Sequence, residues 1–170
     1  MSVHDFLHSQ NWRTMLCVDP GATTGWAFFD ARNKTRSCLS SFGMLPCPRK
    51  ITGEAKRHFW LMYNFDKLGR QLDPEGVVIE SMEHWAGSET SDASTNSGAL
   101  FKVDRLSGGY GGVCAVRGTP YNFVTAKEWK GQLTKEATRL RVLRAIPGTV
   151  LKDEHSTDAI GIGLALGGEL

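Results

Sequence analysis

The sequence contains no C-x-x-C pair, no opening that resembles a signal peptide, and no apolar run near the ~20 residues a membrane span needs. The four cysteines, Cys17, Cys38, Cys47 and Cys114, therefore lack the spacing of a zinc or dithiol motif. Cys17 and Cys114 sit in apolar runs and are expected as small core residues of a chain kept in a reducing compartment. Charge of one sign is also missing. A net charge of +2 implies no nucleic-acid partner by itself, so any such argument must come from local clustering. Internal repeats and a second domain are absent too. What remains is ordinary for a globular protein: 170 residues, 41% hydrophobic and 22% charged. That is one domain with room for a core. The expectation is a cytosolic protein with a polar N-terminal extension over residues 1–13 and one folded domain over residues 14–170.

The chain is organised around residues 15–29, which read as an apolar strand, an acid, a tight glycine-containing turn and a second apolar strand. Asp19 ends the first strand, and Gly21 and Gly25 are expected to let the chain reverse and present it. A carboxylate at the end of a buried strand is costly unless it has a partner or a task.

The remaining elements follow from pattern. Residues 14–19 and 24–30 form a hairpin, and residues 35–43 a third strand closed by Pro46 and Pro48. Residues 54–72 form a helix whose apolar stripe is Phe59, Met62, Phe65 and Leu68. Residues 77–80 are a short apolar strand ending on Glu80. Residues 86–98 are small and polar, a loop. A weak helix over 99–106, a glycine turn over 108–112 and a buried strand over 113–116 come next, then an extended piece over 120–124. Thr125 caps a short helix over 126–133. A basic helix spans 136–146, and a last helix runs from His155 to Leu166 before Gly167 and Gly168. This order is α/β with a mixed sheet.

Two buried strands thus end on acids, Asp19 and Glu80. His155 and Asp158, spaced i, i+3, project from one face of the last helix's first turn. Three carboxylates and an imidazole suit hard divalent cations such as Mg2+ or Mn2+. Two ions ~3.5–4 Å apart can activate water and stabilise the leaving oxygen in phosphodiester hydrolysis. Each residue also has a plain explanation. Asp19 before Pro-Gly suits a turn, and Asp153, Glu154 and Asp158 suit a helix N-terminus. The joint occurrence favours a site. Asp153 stands as an alternative ligand to His155 should the helix begin earlier.

The ordered set, Val18-Asp-Pro-Gly-x-x-x-Gly-Trp-Ala27, Val78-Ile-Glu80, and His155-x-x-Asp-Ala159 with Leu164-Ala-Leu166, resembles the RuvC-type Holliday-junction resolvases of the RNase H-like superfamily. Thr125-x-Lys127-x-x-Lys-Gly131 followed by Lys135 resembles that family's basic stretch before its last helix. The resemblance spans about residues 14–167. It implies an RNase H-like five-stranded sheet of order 3-2-1-4-5 flanked by helices, a homodimer, and Mg2+-dependent nicking of four-way DNA junctions with two ions per active site. It maps the metal-binding and catalytic positions onto Asp19, Glu80, His155 and Asp158. The divergent surroundings suit a bacteriophage-type member acting in the cytoplasm of a bacterial host. One departure stands out. The family often carries an aromatic wedge three residues after the strand-end Glu, where this chain has Glu83. Trp85 is the neighbouring candidate for insertion at a junction crossover.

From Lys127 to Arg144 the chain places six basic residues (Lys127, Lys130, Lys135, Arg139, Arg141 and Arg144) against two acids. Phosphate contacts draw on such residues, and Lys127, Lys130, Lys135 and Arg139 are the candidate DNA contacts. Arg49, Lys50, Lys56, Arg57 and His58 form a second cluster that would flank duplex arms. The reading is a structure-selective endonuclease for branched DNA. The alternatives are an actin-like phosphate-binding ATPase, which the hairpin alone would also fit, and a non-catalytic RNase H-like DNA-binding scaffold.

Overall fold

Strand β1, Thr14–Asp19, sits at the centre of the sheet and fixes the layout. It pairs antiparallel with β2, Thr23–Asp30, and parallel with β4, Gly76–Ser81. β3, Leu39–Pro46, extends the β2 edge, and β5, Tyr121–Thr125, lies parallel to β4. The order β3-β2-β1-β4-β5 is the one the resemblance implied. The computed structural model describes residues 2–33, 35, 37–82, 99–151 and 153–170.

Helices cover both faces, so β1 and β4 are apolar on both sides. Alternation sorts their side chains. Leu16, Val18, Val77 and Ile79 face a core shared with α2, Glu54–Leu72, and α3, Ala99–Arg117. Met15, Cys17 and Val78 face the opposite core, shared with α1, Val3–Ser9, α4, Ala126–Lys130, α5, Lys135–Ala145, and α6, Glu154–Leu166. The same period carries Asp19, two residues beyond Cys17, and Glu80, two beyond Val78, onto the α6 side. Val18 pairs with Ile79, so the two acids follow at adjacent strand ends.

Several expectations change. Residues 3–9 are not a loose polar lead-in. They form a capped helix whose Val3 and Leu7 are fully buried, because the two apolar residues share one face four apart. Strand β3 begins and ends later than expected, at Leu39 and Pro46. Helix α2 has the expected bounds, but its inner face is Leu61, Phe65, Leu68 and Gly69, and Phe59 is 68% exposed. A strict three-residue spacing drifts off the 3.6-residue period, which is why Phe59 misses the core.

The largest change is α3. Residues 99–117 are one continuous helix, without a glycine turn or a buried strand at 113–116. The fifth strand is instead the segment read only as extended. Each glycine costs a helix about 1 kcal/mol against alanine, but packing overrides this. A Cβ on Gly109 would meet the Met62 sulfur at 2.7 Å, and one on Gly111 would meet the Tyr121 ring at 2.9 Å. Both glycines let α3 approach its neighbours closely.

Helix α3 also fixes the two acidic strand ends. The Ser107 hydroxyl donates to the Glu80 carbonyl at 3.1 Å. The Tyr110 hydroxyl shares a 2.6 Å hydrogen bond with Thr24 Oγ1, which also lies 3.4 Å from the Gly21 carbonyl. Tyr110 is fully buried, and desolvation pushes its phenol well above the usual range. Tyr110→Phe leaves the buried Thr24 hydroxyl with one long hydrogen bond. It is expected to cost about 1–2 kcal/mol in urea denaturation; no change in stability would mean the bond has no net value.

Candidate active site

Asp19 closes β1 opposite Gly25 of β2. Gly21 and Gly25 were expected to serve chain reversal, yet neither has a positive φ. Gly25 serves packing instead. A Cβ there would stand 2.0 Å from the His155 carbonyl oxygen and 2.7 Å from the Ser156 amide nitrogen. The absent side chain lets the first turn of α6 rest on the sheet beside Asp19. His155 then places Nδ1 2.8 Å from Asp19 Oδ2. The Asp19 hydrogen bond is the main reason the imidazole titrates above its ordinary value. Asp19 is itself raised: burial outweighs the opposing pull of His155, and Asp158 adds repulsion.

Glu80 is 7% exposed, and its carboxyl is pushed up to about 7, first by burial and then by the Asp19 charge. Lys130 and the Trp129 indole N–H pull the other way. That indole is near enough to act on the carboxyl electrostatically but does not reach hydrogen-bond geometry. Glu80 Oε2 and Trp129 Nε1 both lack a partner among the described residues. Sequence reasoning passed over Trp129. It is 5% exposed, and a Cβ on Gly161 of α6 would sit 2.6 Å from its ring. Its ring carries the Lys130 ammonium at 4.7 Å. The available signal was a tryptophan between two lysines in a short helix. The Thr125 and Glu128 capping box holds that helix against the end of β5.

Asp158, one turn after His155, lies 3.4 Å from Lys130 Nζ. Lys130, a candidate DNA contact from sequence, therefore points into the acidic cluster as its neutralising cation. Asp153 has another task. As the α6 N-cap it accepts from the Ser156 amide at 2.7 Å and from the Ser156 hydroxyl at 2.6 Å. Both its oxygens are committed to the helix start.

The four expected ligands thus gather at one end of the sheet, and each carboxylate feels at least one other. They do not converge on one point. Among the described residues no three His, Cys, Asp or Glu side chains are close enough to hold a single ion. Asp19 is engaged by His155 and Asp158 by Lys130. The donor chemistry, three carboxylates and an imidazole, fits a hard divalent cation. The orphaned Glu80 oxygen fits it as well.

Of the other candidate contacts, Lys127 and Arg139 are exposed, and Lys135 pairs with Glu154 at 2.7 Å. A groove of about 370 Å3 runs from Lys135 and Arg139 to Asp158, and Glu136, Asp153 and Glu154 also line it. Trp85, with Glu83 and His84, lies outside the described residues, as does the polar stretch 86–98. No helix among the described residues is long and apolar enough to cross a membrane.

No protein-family model matches the chain, and no curated protein matches it in sequence. Solved structures do match in fold. RuvC of Thermus thermophilus in complex with a Holliday-junction substrate superposes with a TM-score of 0.66 at 15% identity, over 89% of this chain and 90% of that one. A second Thermus thermophilus RuvC structure gives 0.66 at 16% identity, over 89% and 92%. The yeast mitochondrial Holliday-junction resolvase Ydc2 gives 0.55 at 11% identity, over 98% and 86%. With its five-stranded mixed sheet in the order 3-2-1-4-5 and helices on both faces, the chain has the RNase H-like fold of RuvC.

Proposed function

We propose that this chain is a metal-dependent endonuclease that cuts branched DNA, chiefly four-way junctions. The observation that carries this reading is the buried, unpartnered Glu80 oxygen beside Asp19 and Asp158 at one sheet end. Such a cluster is unfavourable to fold and makes sense as a cation site. Likeness in fold to two junction resolvases supports the choice of substrate. The phosphate-loop ATPase reading has less support, because Gly25 lies inside β2 under α6.

Asp19, Glu80 and Asp158 would hold Mg2+ or Mn2+, two ions per site, and His155 would either ligate the ion that activates water or act as the base on that water. The metal would supply charge neutralisation at the scissile phosphate and activation of water. When His155 is neutral and its Nδ1–H donates to Asp19, Nε2 carries the lone pair and can accept a proton from the attacking water. The Asp19 contact fixes that ring and strengthens it as a base. Lys130 would turn from Asp158 toward the phosphate once the cluster gains other positive charge. Lys127, Lys135 and Arg139 would bind flanking phosphates.

Paired nicks require two sites, which a two-fold dimer supplies. Trp60, Leu61 and Tyr63 of helix α2 lie beyond its predicted apolar stripe, spare for a partner or for a wider contact with the core. Leu61 instead belongs to its own core, and Trp60 packs against it. The exposed apolar residues nearby are Phe59, Tyr63 and Val116, flanking a groove that includes Met62, Gly109 and Gly112. This α2–α3 face is our proposed dimer contact, and light scattering at micromolar concentration should report a dimer.

The direct test is incubation with a synthetic four-way junction in Mg2+ or Mn2+. Symmetric nicks that disappear with a chelator are expected. A chain that binds junctions and leaves them uncut in both ions would be a scaffold.

A further inference from the structure

The turn after Asp19 has two sides. On one, a Cβ at Gly21 would lie 3.4 Å from His155 Cε1. On the other, Gly21 and Ala22 line a separate cleft of about 390 Å3 between the starts of α2 and α3. Arg57, His58 and Lys102 line that cleft, and Leu61 is among its apolar residues. Glu54, its acid, is ion-paired to Arg105 at 3.2 Å. Among the described residues no acid pairs with Arg57 or Lys102, so the cleft is left with a net positive charge. Gly53, also in its wall, caps α2 without a side-chain hydrogen bond, so first-turn amides add to that character.

We infer that this cleft is a phosphodiester subsite, binding the backbone of the same DNA strand a few nucleotides from the scissile phosphate, with Arg57 and Lys102 as its cationic contacts. The inference rests on the nuclease reading and adds a site on the face opposite the α4–α5 lysines. The shared turn is the reason. Along one strand of a duplex, phosphates rise ~3.4 Å each. A strand laid over Asp19 and His155 that crosses the turn brings its next phosphates to the cleft mouth, where two long cationic side chains can follow them. The cleft opens to solvent beside Glu54 and Lys102, both exposed, which suits a backbone more than a buried base. The second basic cluster in the sequence thus divides. Arg57 and His58 enter the cleft, while Arg49, Lys50 and Lys56 are exposed residues outside its lining.

The test is anisotropy titration of a labelled four-way junction, in chelator, across a range of NaCl concentrations. It compares the wild type with the double variant Arg57→Gln/Lys102→Gln. A control variant, Arg13→Gln/Arg32→Gln, removes the same charge at the far end of the sheet, where both arginines are exposed. The double variant should bind about ten-fold more weakly or worse. Its plot of log affinity against log salt should be shallower by about 1–2, at roughly 0.9 for each phosphate the protein no longer neutralises. The control should keep the wild-type slope, and thermal melts should show all three folded. A wild type that binds, with an unchanged slope in Arg57→Gln/Lys102→Gln, overturns the subsite alone. So does an equally shallow slope in the control, which would mark a net-charge effect. A wild type that neither binds nor cuts junctions overturns the nuclease reading together with the subsite.

Discussion

Gly25→Ala is expected to destabilise the protein by about 3 kcal/mol or more and to cut any nuclease activity at least ~100-fold. One methyl group has this reach because of what it would meet. Its nearest neighbours are the carbonyl oxygen and carbon of His155, at 2.0 and 2.1 Å, followed by the Ser156 amide. These are backbone atoms in the first turn of a helix, so no rotamer change relieves the overlap. Either β2 or the whole start of α6 must move. β2 is held on both edges by β1 and β3, and α6 is held by Gly163 against Phe29 and by Gly167 against Val3 of α1. A shift of about 1 Å in α6 would pull His155 out of hydrogen-bond range of Asp19 and change the reach from Lys130 to Asp158. Urea denaturation and junction cleavage of Gly25→Ala check both halves. Gly21→Ala is the comparison: its closest neighbour is the Thr23 carbonyl at 3.0 Å, so the effect should be much smaller. Equal and small effects in the two variants would show that α6 can yield without cost.

The same residue marks the boundary of what the sequence made legible. The acids at two strand ends and the i, i+3 pair on the last helix were readable, because strand and helix periods alone assign them to elements. That β1 and β4 lie side by side followed from the family-like order of motifs, and the register agrees. Gly25 was read as a turn former because a glycine near a turn has a sufficient local explanation. Its real constraint comes from residues 130 positions later and leaves no local trace. Helix α3 was misread for the same reason. Its glycines look like punctuation, and only the close approach of Gly109 to Met62 and of Gly111 to Tyr121 explains them. Lys130 and Trp129 appeared as half of a basic face and a spacer. Their place beside Asp158 and Glu80 depends on how a five-residue helix docks at the end of β5, a tertiary fact.

Glu80→Gln should do opposite things to stability and to activity. In the metal-free protein the Glu80 carboxyl titrates near 7 when folded, against an ordinary value of 4.5. Below pH 4.5 it is protonated in both states and adds no penalty. Between pH 4.5 and about 7 the unfolded chain releases the proton while the folded chain retains it, so unfolding gains. Above pH 7 the folded protein carries a buried anion at a cost of about 3 kcal/mol. Glutamine cannot ionise and escapes that cost. The stability advantage of Glu80→Gln, measured by urea denaturation in chelator, should therefore grow by about 2.5 kcal/mol from pH 5 to pH 8. Adding Mg2+ or Mn2+ at pH 8 should stabilise the wild type and narrow the gap, because a bound cation favours the ionised carboxyl. Glutamine keeps the shape but not the negative charge, so cleavage should fall by several hundred-fold or more, beyond the ~10–100-fold that removing a group which merely supports a metal ligand costs. A difference between the two proteins that stays constant from pH 5 to pH 8 would show that Glu80 ionises freely in the folded state. The strongest physical argument for a cation at this sheet end would then be gone. The predicted trend would instead mark Glu80 as a residue that is unfavourable for the fold and is explained by the chemistry it serves.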